Sequence, residues 1–451
     1  MAWTEEQVRA LVTDAGTLKR GQELASPSKW SNLGQTDTAA WGHCAGSGSR
    51  PYLTAIDLSE PAFKCSCPSR VFPCKHGAGL FLLLAGQPEL LPTAAPPDWL
   101  ADWLGKRQQS QEKKTSKAAA PVPAEEAEDT PTTRPTAPAD AGPGLEVAPA
   151  RLARMEQGAA DLELWLIDLM RSGIAALDQQ PRSFWESQAA RLVDNQLPGL
   201  AGTLRELATL RHSHADWPAR LLGRLGELYW LTRAFRNRHH LPADTHQEVL
   251  QQVGITIKKE ELLTQAPAIT DEWQVLGLRI TEEERLTVRR CWLRGLGTGR
   301  YALLLEYAFG SQPFATHLVP NAYYEGRLVF YPGLLPLRAT PLELKFTGSG
   351  KAHAAPPGLS PTQLLQGYAE ALARHPWLRE WPATLAEVVP ARLPDDSWVL
   401  THGPENLALP LRLSSADEGW QLLALSGGHP LSVFGEWDGQ ALRPLGSWSY
   451  L

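Results

Sequence analysis

Cysteine is scarce. Five residues in 451 are too few for the disulfide framework of a small secreted scaffold. Long apolar runs are missing as well. The stretch from Leu80 to Ala85 is far too short to cross a bilayer, and the opening MAWTEEQVRALVTDAG carries acids early and no long apolar run, unlike a secretory signal. Neither sign of charge dominates. With 43 Lys and Arg against 49 Asp and Glu, the net charge is -6, so the chain as a whole is no electrostatic attractor for nucleic acid. Such binding would need a local basic patch. No G-x-S-x-G, H-E-x-x-H or kinase-type set occurs. Together these absences give the expectation of a cytoplasmic protein without a membrane segment or a recognisable catalytic signature.

What is present is ordinary in bulk and uneven in detail. The chain is 43% hydrophobic and 20% charged, values of a globular protein long enough for two or three domains. Its 17 tryptophans read as large core anchors. Residues 106–150 contain no aromatic residue and seven prolines. Such a segment cannot bury enough surface to offset its chain entropy and reads as a disordered or extended linker. Beyond it, Leu152, Met155, Ala159, Leu162, Leu166 and Leu169 recur at helical spacing. FWESQAARLVDNQ and WPARLLGRLGELYWLTRAF continue the helical pattern, with Leu221, Leu225, Leu228 and Phe235 on one face. From Trp273 the texture becomes strand-like in WQVLGLRITEE, LTVRRCWLRG, RYALLLEYAFG and GRLVFYPG. A helix is expected over PTQLLQGYAEALARHPWLREW, and strands again in WQLLALSG and SVFGEWDG.

The chemistry concentrates in FKCSCPSRVFPCKHGAGLFLLLA. Cys65, Cys67, Cys74 and His76 have the spacing C-x-C-x6-C-x-H. Two close pairs joined by a short loop suit a tetrahedral ion, and three thiolates with one imidazole favour zinc in a closed structural site. The alternating PYLTAIDL predicts a strand of a hairpin that delivers Cys65 and Cys67, while Cys74 and His76 open a helix to about Leu84, stopped by Gly86 and Pro88. Lys64, Arg70 and Lys75 would favour the thiolate form. A C-x-C redox pair leaves Cys74 and His76 unused, and a cysteine nucleophile lacks a base and an orienting partner here. Four inert core residues are a poor account of cysteines set among prolines. His43 and Cys44 read as hairpin residues and Cys291 as core.

On these residues the chain resembles the bacterial SWIM zinc-finger proteins. The signature is matched at Cys65, Cys67, Cys74 and His76, within the context GSGSRPYLTAIDL, CSCPSRVFPCKH and the apolar helix. WLIDLMRSGIAAL, FWESQAARLVDNQLPGLA, YPGLLPLRA, ALSGGHPLSVFGEWDG and LRPLGSW are similar to segments of long members. The resemblance implies a zinc-binding ββα module that binds DNA or proteins, and only the four ligands are carried over. It also implies company, because long members tend to be encoded beside MoxR-type AAA ATPases and von Willebrand factor A proteins. The expected fold class is multidomain α+β. A small ββα zinc-binding domain would occupy 1–105, a disordered Pro/Ala/charged linker 106–150, a helical bundle 151–250 and a strand-rich α+β domain 251–451.

Other constellations are weaker. RAFRNRHH, Arg233 to His240, could contact phosphates but reads as the basic last turn of a helix. His212 and His214 lack further ligands at a diagnostic spacing, and GLGTGR lacks the lysine and helix of a phosphate loop and reads as a hairpin turn. The expected function is a non-enzymatic interaction protein with one structural Zn2+ per chain, its finger a tethered recognition head for a protein partner. DNA binding through the finger is the alternative. Residues 1–86 hold eight Lys and Arg against seven Asp and Glu, a near-neutral balance that weakens it. An unrecognised active site in the C-terminal half is a third reading.

Overall fold

The computed structural model describes residues 3–12, 15–45, 51–59, 61–69, 73–107, 147–210, 216–283, 286–309, 314–348 and 355–449. Most of the expected linker, at 108–146, and Arg70, His212 and His214 lie outside the described residues. The chain divides into two compact units. One comprises Met1–Pro138, Thr270–Gly326 and Glu343–Pro356, the other Ala139–Ile269, Arg327–Leu342 and Pro357–Leu451.

The first unit begins with two short helices, α1 (Glu5–Leu11) and α2 (Ala15–Gln22). Thr4 and Gln7 form a capping box at the start of α1, which satisfies two backbone donors that would otherwise face solvent. An antiparallel sheet comes next in sequential order, β1 (Trp30–Gln35), β2 (Ala39–Cys44), β3 (Tyr52–Asp57) and β4 (Ala62–Cys65). Helix α3 (Lys75–Gly86) packs against β2, β3, β4, α1 and α2. Every residue from His76 to Leu84 is buried. That is why this helix is apolar all round rather than on one face. The tightest approach is to α2. A Cβ at Gly79 would lie 2.9 Å from Leu24 Cβ and 3.1 Å from Gly21 O, so only glycine admits this helix spacing. A helix over 98–107, α4, brings Leu100 into a small cluster with Ala39, Trp41 and Ala55, and Trp99, Trp103 and Leu104 pack against it.

The same unit contains the larger part of a closed barrel. Strands β5 (Ala268–Glu283), β6 (Leu286–Gly295), β7 (Tyr301–Phe309), β8 (Tyr323–Phe330) and β9 (Arg338–Gly348) close in the order β5-β6-β7-β9-β8. The chain passes from one unit to the other within β8 and within β9. The finger sheet's partners and the barrel meet at Trp3. Its ring stacks on Phe346 of β9 and meets the edge of Phe81 of α3, and Gln7 Nε2 donates to Pro320 O at 3.2 Å. The head is therefore packed on the barrel and is not held by a tether alone.

The second unit opens with the expected helical region. α5 (Pro149–Ser172), α6 (Arg182–Asp194), α7 (Pro198–Leu210) and α8 (Trp217–Arg236) enclose a core that includes Met155, Leu162, Trp185, Leu204, Leu228 and Phe235. α9 (Ala243–Gln252) adds Val249 and Leu250 to it, and α10 (Lys259–Gln265) comes after it. Further on, α11 (Pro361–Arg374) and α12 (Ala416–Ser426) pack on an antiparallel five-stranded sheet. Its strands are β10 (Trp381–Arg392), β11 (Trp398–His402), β12 (Leu407–Pro410), β13 (Leu431–Trp437) and β14 (Leu442–Ser449), in the order β12-β11-β10-β13-β14.

Two local expectations change. WQLLALSG is helix, not strand: it is the body of α12, with Asp417 and Glu418 in the first turn and Gly427 capping the end at φ 56°. The acids suit a helix N-terminus and the left-handed glycine suits its stop. The helix expected to run to Trp381 ends at Arg374, because His375 caps it and Pro376 cannot donate the next helical hydrogen bond. Trp381 instead begins β10.

Candidate metal centre

The four expected ligands come from two adjoining elements. Cys65 is the last residue of β4, Cys67 lies in the turn after it, and Cys74 and His76 stand at the N-terminus of α3. Strand β3 fixes the first pair in place. Thr54 is opposite Cys65 in the ladder, Ser66 N donates to Leu53 O at 3.0 Å, and Leu53 N donates back to Ser66 Oγ at 2.9 Å. Cys74 is the N-cap of α3 in extended conformation, and its carbonyl accepts from Ala78 N at 3.0 Å.

One ligand atom from each of Cys65, Cys67, Cys74 and His76 lies within 4.8 Å of all the others. His76 Nδ1 is 3.7 Å from Cys65 Sγ and 3.9 Å from Cys74 Sγ. An ion held at about 2.3 Å from sulfur and about 2.0 Å from nitrogen in a tetrahedron separates its ligands by about 3.5–3.8 Å, so the donor set and its spacing fit a zinc-sized ion. Backbone donors are already aimed at the sulfurs. The N–H groups of Cys67, Ser69 and Gly77 point at Cys65, Cys67 and Cys74 respectively. Thr54 Oγ1 lies 3.3 Å from Cys65 Sγ, and the Tyr52 ring packs on the His76 ring with centroids 4.7 Å apart.

The three thiols compete over their protons. A hydrogen bond from Cys74 holds Cys65 down to about 3 against its partial burial, and the same bond, with burial, pushes Cys74 well above the ordinary thiol range. Burial pushes Cys67 up. A cation bound among the three would remove this competition by favouring thiolate at every position.

Cys44 and Cys291 stay outside the cluster. Burial pushes Cys44 up to about 11 and Cys291 up to about 12, which makes both inert thiols. His43 Nδ1 pairs with Asn32 Nδ2 at 3.0 Å across β1 and β2. Of the expected basic companions, Lys64 is engaged elsewhere. Its ammonium lies 5.5 Å from the Trp99 ring centre and 5.8 Å from that of Trp103, and it donates to Trp99 O at 3.0 Å. Sequence reasoning did not find this clasp, because α4 is distant in the chain from β4. Arg107 extends it, lying over Trp103 and pairing with buried Asp57 at 3.0 Å.

The other constellations take structural roles. Arg233 and Arg236 both pair with Glu163 of α5, and Arg238 with Glu156. The basic run thus clips the end of α8 and the short turn after it to α5. GLGTGR turns between β6 and β7, and Asp271 organises it by accepting from Gly297 N, Thr298 N and Thr298 Oγ1.

No curated protein and no solved structure matches the chain. Residues 150–253, which begin within α5 and end just past α9, match the family of the SWIM-associated four-helix bundle domain. The chain thus joins a Cys3His cluster that fits a zinc finger to a helical region similar to the domain that accompanies SWIM fingers.

Proposed function

We propose that the chain is a non-enzymatic, zinc-binding interaction protein whose SWIM-type finger recognises a protein partner. The observation that carries this reading is the closed donor set. Cys65, Cys67, Cys74 and His76 supply four ligands, which leaves a tetrahedral ion no position for water or substrate. Zinc would then hold β4 and the start of α3 together, a contribution of about 10–16 kcal/mol in small fingers. The clasp on Lys64 supports a protein over DNA as partner, since its ammonium is occupied by Trp99 and Trp103 rather than offered to phosphate. The company implied by the SWIM resemblance makes an AAA ATPase or von Willebrand factor A protein the first partner to test. Elemental analysis of the purified chain should give one zinc per molecule, lost in Cys67→Ser. Affinity purification should retain such a partner on the intact chain and lose it on that variant. Protein free of zinc, or retention unchanged by Cys67→Ser, would sink the reading.

A further inference from the structure

Strand β3 supplies no ligand, yet it touches both halves of the metal centre. Tyr52 and Thr54 are two residues apart on it and so lie on one face. Register sets Thr54 opposite Cys65. Thr54 is fully buried, at 0% exposure, and its Oγ1 lies 3.3 Å from Cys65 Sγ. Tyr52 covers His76 of the other pair, with ring centroids 4.7 Å apart and planes inclined by 36°. His76 turns Nδ1 toward the sulfurs of Cys65 and Cys74, and a ring packed on its face holds that orientation.

We propose that Thr54 and Tyr52 are positioning residues that set how tightly the ion is held, Thr54 by donating a hydrogen bond to the Cys65 sulfur and Tyr52 by fixing the His76 imidazole. This role rests on the cluster holding zinc, as proposed above. Three thiolates around a divalent cation leave a net negative charge on the sulfurs, and a partly buried charge needs donors. The N–H groups of Cys67, Ser69 and Gly77 supply backbone donors, whereas Thr54 supplies a hydroxyl from outside the ligand loop. Either atom of the Thr54–Cys65 contact could donate in the free chain. A metal-bound thiolate has no proton to give, so the hydroxyl becomes the donor. Tyr52 acts differently. Its ring hinders rotation of the imidazole, so Nδ1 stays aimed and less rotamer freedom is lost when the ion binds. Groups that orient a ligand from behind are commonly worth about 10–100-fold in metal affinity. One strand therefore steadies one ligand from each pair, Cys65 of β4 and His76 of α3.

The test uses the full chain. Zinc affinity is read by competition with a chromophoric chelator, and the sulfur environment by the charge-transfer band of the Co2+-loaded protein. Thr54→Val keeps the branched shape and removes the hydroxyl. It should weaken zinc binding about tenfold and move the sulfur-to-cobalt band to longer wavelength, because a thiolate that loses a hydrogen bond holds its electrons less tightly. Thr54→Ser keeps the hydroxyl and should restore both readouts. Tyr52→Leu should weaken binding about tenfold with the band in place, and Tyr52→Phe should bind as the parent does. Every variant should still take up one zinc at saturation, since all four ligands remain. The proposal is overturned if Thr54→Val binds zinc as tightly as the parent, if Thr54→Ser is as weak as Thr54→Val, or if Tyr52→Leu has no effect. A band that stays in place in Thr54→Val also overturns it, because a contact that only packs lowers affinity without touching the sulfur. A parent that takes up no zinc sinks the zinc reading itself, and this role with it.

Discussion

Trp3 lies flat on Phe346, with ring centroids 5.9 Å apart and planes 9° from parallel. The same indole meets Phe81 edge-on at 5.0 Å. One residue near the start of the chain thus bridges the finger's central helix and the last barrel strand. Trp3→Ala should lower unfolding free energy by about 3 kcal/mol, read as a lower urea midpoint. Trp3→Phe should recover part of it. A midpoint unchanged by Trp3→Ala would show that the head is not seated on the barrel.

The Lys64 clasp makes a separate prediction. Lys64→Ala removes an ammonium held by two indoles and a carbonyl, together with the stem that packs beneath it. Stability should fall by about 1–2 kcal/mol, while zinc content stays at one per chain. Loss of the metal along with stability would instead make Lys64 part of the metal site's support.

Buried Glu248 on α9 is held on both oxygens. Oε1 lies 3.1 Å from His375 Nε2 and accepts from Gln252 Nε2 at 2.9 Å, and Oε2 accepts from Leu334 N at 3.1 Å. Burial pushes this carboxyl up, but the His375, Gln252 and Leu334 contacts together pull it below its ordinary value of 4.5. A depressed carboxyl stabilises the fold above its unfolded value and loses that contribution as pH falls through the folded one. Glu248→Ala should cost about 3 kcal/mol near neutral pH. The gap between parent and variant should close as the solution is acidified below 4.5; a gap independent of pH would contradict the assignment.

Within the helical bundle, Gly199 and Gly202 make opposite predictions one turn apart on α7. A Cβ at Gly199 would sit 2.1 Å from Gln252 O, whereas one at Gly202 meets nothing within 4 Å. Gly199→Ala should destabilise by about 3 kcal/mol. Gly202→Ala should stabilise by about 0.5–1 kcal/mol, since the helix loses backbone entropy less steeply. Urea titrations of the pair test how closely α7 meets the end of α9.

What could be read from the sequence divides along the distance between interacting residues. The metal ligands fall within twelve positions of one another and are carried by a strand end and the next helix, so spacing alone brought them together. Leu221, Leu225, Leu228 and Phe235 were legible for the same reason, as a 3.6-residue repeat that needs no partner to recognise. The run WQLLALSG is short and apolar, and such a run suits a strand as well as a buried helix. The acids before it and the glycine at its end carried the decision. The Trp3–Phe346 stack and the Lys64 clasp join residues from separate elements, and no local pattern encodes them.

Arg107 closes over Trp103 and reaches Asp57 at the end of β3, an interior strand of the sheet. Excising the candidate metal-binding segment at the end of its apolar helix would strip that lid and the cation clasp together. It would also leave the Trp3 seat without its floor on Phe346. A fragment meant to preserve this head has to extend through Arg107 and keep the barrel, so its smallest faithful unit is assembled from stretches far apart in the chain.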